Sequence, residues 1–217
     1  VGGTWYKLGH VTRDMQVLIE DADNDRPILE IMDPICVDAG TLVIDTIVGY
    51  DPDNNDVKIE AFGGPFEFLS SPAMYSPQPA SFTKSPTQLF FEWQTNCDHV
   101  RERPYDVQFK ISDRPNYGPN LVEFMTWKIQ IVPPAPTGLT VSPLVGRKAL
   151  LDWDSYSCKN ASKIQIWRRI GSYDFTPVNC EVGIPEGSGY ELVGEVDGDI
   201  FNYFDSNENK GLAPGSK

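Results

Sequence analysis

The sequence predicts an all-β protein of antiparallel sheets packed as sandwiches, arranged in tandem. Three observations carry this. Short apolar/polar alternations recur, as in YDVQFKI at 105–111, where Tyr105, Val107, Phe109 and Ile111 share one face. ALLDW at 149–153 and IQIWRRI at 164–170 are further short runs of this kind, and no segment sustains a 3.6-residue apolar period. Turn-forming stretches separate the runs: GGP at 63–65, RPNYGPN at 114–120 and PEGSG at 185–189.

Along the chain, MQVLI at 15–19 reads as the last strand of an upstream module and is followed by the acidic stretch IEDADNDRPILEI at 19–31. KIQIV at 128–132 echoes it and precedes VPPAPTG at 132–138, whose prolines cannot continue a sheet ladder and favour stiff extended chain. Residues 1–26 are therefore expected to be the tail of a truncated module plus an acidic linker. Residues 27–133 are expected to form one sandwich and 134–217 a second. The opening VGGTWYKLGH lacks an initiator methionine and shows no signal peptide, so the chain reads as a piece of something longer.

A net charge of −13 leaves no basic stripe for nucleic acid. No apolar run approaches the roughly 18 residues of a membrane span. Four cysteines, Cys36, Cys97, Cys158 and Cys180, fall two on each side of the proline-rich linker. Three pairings can be drawn, and one bridge per module, Cys36–Cys97 with Cys158–Cys180, is the economical one. None forms a CxxC knuckle, which disfavours zinc. Bridges imply an oxidising, extracellular compartment; four buried free thiols are the alternative.

The second module resembles fibronectin type III. PAPTGLTV at 134–141, the strand ALLDW with Trp153, IQIWRR, and GLAPGS at 211–216 carry the likeness. The resemblance implies a corner tyrosine and two more strands beyond Lys217. The module is therefore expected to be incomplete at its C-terminal end, or completed by a strand-donating partner. The first module is similar to cadherin-like and polycystic-kidney-disease-like sandwiches through DADNDRP at 21–27, DPD at 51–53 and ISD ending at Asp113. Both resemblances imply immunoglobulin-like sandwiches. The cadherin likeness also implies calcium at the first junction, held by Asp21, Asp23, Asn24, Asp25, Asp51, Asp53 and Asp113. Calcium takes about six to eight oxygens from carboxylates, amides and carbonyls, which these residues supply. Asn24 stands where the family has a bridging carboxylate, which lowers the charge of such a site. The competing reading is solvated Asp/Asn turns. LGHVTRDMQV, TNCDHVRERPYDVQFKISD and QIWRRIGSYDF resemble segments of Bacteroidetes-type surface proteins that carry a gliding-motility-associated C-terminal domain. That likeness implies a large exported parent and the type IX route.

No catalytic constellation appears. There is no G-x-S-x-G, P-loop or G-x-G-x-x-G motif. His99 lies near Cys97, yet side chains along a strand diverge and Cys97 is more useful in a bridge. Glu60, Glu67 and Glu92 have no cleft to act in. Trp93, Trp127, Trp153 and Trp167 invite a sugar-binding platform, but Trp127 and Trp153 alternate with core residues. Trp167, flanked by Arg168, has outward parity and is a candidate surface contact unless the loop between Cys158 and Cys180 covers it. The long proline-rich loop at 70–86 either binds or drapes over a sheet. The expected function is a structural or adhesive stalk segment, a non-enzyme whose partners are neighbouring modules and glycan or protein ligands. The alternative is a carbohydrate-binding accessory region of a secreted polysaccharide-degrading enzyme.

Overall fold

Period-two patterning places the strands. In a computed structural model of the chain, residues 9–17, 23–174 and 180–216 are described. The first module comprises β1 (Ile28–Leu29), β2 (Ile35–Asp38), β3 (Leu42–Tyr50), β4 (Asp56–Phe62), β5 (Met74–Ser76), β6 (Thr87–Gln94), β7 (Tyr105–Arg114) and β8 (Val122–Val132). They make two four-stranded sheets, ordered β1-β3-β6-β5 and β2-β8-β7-β4. All pairings are antiparallel except β2 with β8, where Cys36 lies opposite Gln130. Pro34 precedes β2, at a position where its missing N–H breaks no ladder bond. The chain thus leaves one sheet after β1 and joins the other as β2.

The alternation read at 105–111 holds, and Tyr105, Val107, Phe109 and Ile111 are all buried. They meet Leu89, Phe91 and Trp93 of β6 and Trp127, Ile129 and Ile131 of β8 in one core. Its aromatic rings pack edge-on: Phe91 lies 5.4 Å from Trp127 and Trp93 lies 5.1 Å from Tyr105, centroid to centroid. Each buried indole finds an acceptor, Trp93 Nε1 donating to the Ser71 carbonyl and Trp127 Nε1 to that of Asp33. The loop at 70–86 drapes over the sheets: it contributes β5, bridges Val57 through Thr83, and stacks Phe82 beneath Lys58 and Arg114.

The second module comprises β9 (Thr140–Leu144), β10 (Lys148–Asp152), β11 (Lys163–Arg168), β12 (Glu191–Asp197) and β13 (Asn202–Asp205). These form a three-stranded sheet, β13-β10-β9, and a two-stranded one, β11-β12. Both are antiparallel. Among the described residues its core is thin, with Ala149, Trp153, Cys158 and Ile166 as the buried apolar residues. The fold is thus all-β, with immunoglobulin-like sandwiches in tandem.

Residues 9–17 are exposed and carry no strand, so residues 15–17 of the expected upstream strand do not form one; residues 18–22 lie outside the described residues.

Candidate functional site

Two constellations stand out, one at each end of the first module. At its linker end, the connection from β3 to β4 is a tight Asp/Asn turn. Asp51 Oδ1 accepts from the backbone N–H groups of Asp53 and Asn55, each at 3.0 Å. Asn54 sits at φ 59 within the turn, a conformation asparagine tolerates. The acidic linker folds onto this turn. Asp25 N–H donates to Asp53 Oδ2 at 2.7 Å, Asn24 Nδ2 to Asp113 Oδ2 at 2.6 Å, and Asn55 Nδ2 to Asn24 Oδ1 at 2.8 Å. The Leu121 N–H donates to the other Asp113 oxygen.

The sequence expectation therefore converges in space for Asn24, Asp25, Asp51, Asp53 and Asp113. Asp23 is exposed beside them, and Asp21 lies outside the described residues. Asn55 belongs to the same network and was missed; its place in VGYDPDNND, four residues after Asp51, was the available signal. Asp51 is 2% exposed and Asp113 fully buried. Among the described residues no lysine or arginine pairs with either, and Asp51 Oδ2 has no hydrogen-bond partner. A buried carboxylate oxygen left unpaired is costly, and a cation beside it would offset that cost. The donor set of carboxylates and amide oxygens suits a hard cation. Yet no group of three or more His, Cys, Asp or Glu side chains among the described residues is gathered tightly enough to hold a metal ion. The side-chain amides of Asn24 and Asn55 instead link the cluster, Asn55 donating to Asn24 and Asn24 to Asp113.

At the opposite end lies the junction with the second module. All four cysteines are disulfide-bonded, but the expected in-module pairing is overturned. Cys36 bonds Cys180 and Cys97 bonds Cys158, with Cα separations of 5.8 and 5.3 Å. Each bridge joins the first module to the second. The economical assumption failed because sequence neighbourhood is not spatial neighbourhood. Cys36 lies in β2, and Cys97 opens a short 3₁₀ turn, Cys97–His99, after β6. A polar contact reinforces the covalent ones: Asn160 Nδ2 donates to the Cys97 carbonyl at 3.1 Å. Within the second module Tyr156 OH donates to the carbonyl of Pro134, in the connecting stretch, at 2.7 Å. Burial, together with the nearby Asp38 carboxylate, pushes the Tyr156 phenol up.

His99 braces the 3₁₀ turn. Its Nδ1 accepts from the Asn96 N–H at 3.1 Å, while the Asn96 side chain accepts from the Asp98 N–H. The ring packs 4.5 Å from Phe68 and 4.9 Å from Trp93. Burial depresses the imidazole pKa, opposed in part by the Ser70 carbonyl and by Asp98. A histidine so enclosed is a structural brace and presents no nucleophile or base to solvent.

Among the described residues the tryptophans form no exposed platform. Trp93, Trp127 and Trp153 are buried and Trp167 is half-buried. Its neighbour Arg168 is spent inside the module. Both Asp205 oxygens accept from Arg168 Nη1 at 2.8 Å, and Nη2 donates to Asn207 Oδ1. The outward parity inferred for Trp167 is disturbed by a register shift between Ile166 and Trp167, which adds twist there. Asp205, distant in sequence, gave no signal of its pull on Arg168.

No family model matches the chain, and no curated protein matches it. Among solved structures, the chain is similar to the crystal structure of domains A168-A170 from titin, at 10% identity and a TM-score of 0.30. The match covers 84% of this chain and 56% of that one. At that score the fold rests on the sheets described above.

Proposed function

We propose that this chain is a structural segment of a larger extracellular multi-module protein, in which two sandwiches are stapled into one stiff unit. The observation that carries this reading is that both disulfides cross the module junction. Bridges of this kind persist in oxidising compartments. Among the described residues no helix is long and apolar enough to cross a membrane. The finer reading, a stalk or adhesin repeat of a Bacteroidetes-type surface protein exported by the type IX route, rests on the sequence resemblance. Small-angle X-ray scattering of the whole chain tests the staple. The oxidised chain is expected to fit one rigid shape, and reduction to increase its maximum dimension and flexibility. Identical profiles in both states would overturn the reading.

Calcium at the first junction belongs to the same proposal. Asn24, Asp25, Asp51, Asp53 and Asp113 would hold it, and the unpaired Asp51 Oδ2 supports it. The ion would supply a positive centre that ties the linker to the β3–β4 turn.

A strand-completing partner is favoured by one further feature. Among the described residues β11 pairs along one edge only, with β12, and Ile170 makes an isolated antiparallel bridge to Ser216. An added strand would pair along the open edge. The outward amides of β11 are expected to exchange rapidly with deuterium in this chain and to become protected once a strand is added. Equal protection in both states would exclude it.

A further inference from the structure

The two disulfides are nested, and nesting has a mechanical consequence. Cys36–Cys180 spans a sequence separation of 144, and Cys97–Cys158, with a separation of 61, lies wholly within it. Under tension between the chain's ends, force follows the shortest covalent path. That path runs from residue 1 to Cys36, across the bridge to Cys180, and on to residue 217. Strands β3 to β11, including most of the first module's core, lie off the path.

We infer that Cys36–Cys180 is a mechanical shackle that removes residues 37–179 from the load path, and that Cys97–Cys158 is a second reserve. The second bridge carries load only after the first is cut. The inference rests on the structural-segment reading above but is decided by a different observable.

Cys36, Cys180 and Cys97 are half-buried and Cys158 is 3% exposed, so the order of release rests on connectivity: the inner bridge carries no load until the outer one opens. A dithiol reductant would open the outer bridge by attack of one thiolate on a cysteine sulfur. The S–S bond breaks, the displaced cysteine leaves as thiolate and takes up a proton, and a mixed disulfide forms. The reductant's second thiol then displaces the remaining cysteine, so the reductant ends as a disulfide and the protein holds two thiols. Tension would then pass through the whole of residues 37–97 and 158–179, and for the first time across the inner bridge.

The test is single-molecule force extension of the whole chain, with handles at residues 1 and 217, before and after dithiothreitol. At about 3.5 Å per residue, the oxidised chain is expected to reach a contour of about 250 Å. Reduction under load then adds about 290 Å, followed by about 210 Å, always in that order. A Cys36→Ser/Cys180→Ser variant starts near about 540 Å and releases only the smaller step. A Cys97→Ser/Cys158→Ser variant keeps the oxidised value of about 250 Å and releases about 500 Å at once. These lengths depend on covalent connectivity and hold even where a variant folds poorly. An oxidised contour of about 760 Å, or of about 470 Å as in-module pairing would give, overturns the inference, as does release of the smaller step first. A contour of about 250 Å with a flexible scattering profile would keep the shackle and sink the stiff-unit reading. A contour of about 470 Å would sink both, because each bridge would then lie within one module.

Discussion

Asp51 concentrates the question posed by the acidic linker. One carboxylate oxygen caps its own turn, while the other is buried with no partner. Asp51→Asn keeps the capping oxygen and replaces the unpaired one with an uncharged amide. If calcium binds, the native chain is expected to melt several degrees higher with calcium than with chelator, and Asp51→Asn to abolish the difference. If the cluster is only a solvated turn, the native melts coincide and Asp51→Asn is neutral or stabilising. His99 supplies a pH prediction at the same scale. Its folded pKa is depressed from 6.5 by burial, so the unfolded chain takes up the proton more readily. Its contribution is therefore complete above about pH 6.5 and is lost as pH falls through the folded value. Protonated Nδ1 would also face the Asn96 N–H. Melting temperatures followed from pH 7.5 to 5 are expected to fall in the native protein and to fall less in His99→Gln. Parallel slopes in the two proteins would remove His99 as the source.

Among the elements, the second module hangs on a few close approaches between its sheets. Gly194 of β12 lies against the Tyr203 ring of β13, whose hydroxyl donates to the Val193 carbonyl at 2.8 Å. A Cβ at 194 would intrude on that ring, so Gly194→Ala is expected to displace Tyr203 and cost about 1–3 kcal/mol. Arg168→Ala is expected to cost more, about 3–5 kcal/mol, because it strands the buried Asp205 carboxylate without its counter-charge. Chemical denaturation followed by Trp153 and Trp167 fluorescence would measure both. A loss under 1 kcal/mol for Arg168→Ala would mean Asp205 finds another partner or solvent.

For the whole molecule, the modules are unequal. The first has a continuous aromatic core, and among the described residues the second buries few large side chains. Scanning calorimetry of the reduced chain is expected to show two transitions, the second module unfolding first. Oxidation should raise and merge them, since closing loops of these lengths stabilises by about 4–5 kcal/mol per bridge. Two unshifted transitions in the oxidised chain would show that the bridges do not couple the modules.

Local pattern alone determined much of this protein. Alternation at 105–111 specified a strand and its buried face, because a strand's side chains have a fixed period of two, while 149–153 specified the strand β10 but only Ala149 and Trp153 of its face are buried. The spaced Asp and Asn residues at 23–25, 51–55 and 113 marked a polar cluster, because short polar side chains that bond nearby backbone favour turns. What depends on distance through space was decided only by the tertiary structure. The cysteines pair across the junction because the folded sheets set β2 and the Cys97 turn against the second module, which no count of residues reveals. Arg168 turns inward because Asp205, paired through β10 to the same sandwich, is buried and needs its charge. Spacing along a chain encodes which face a side chain takes; which partner waits on that face is a property of packing.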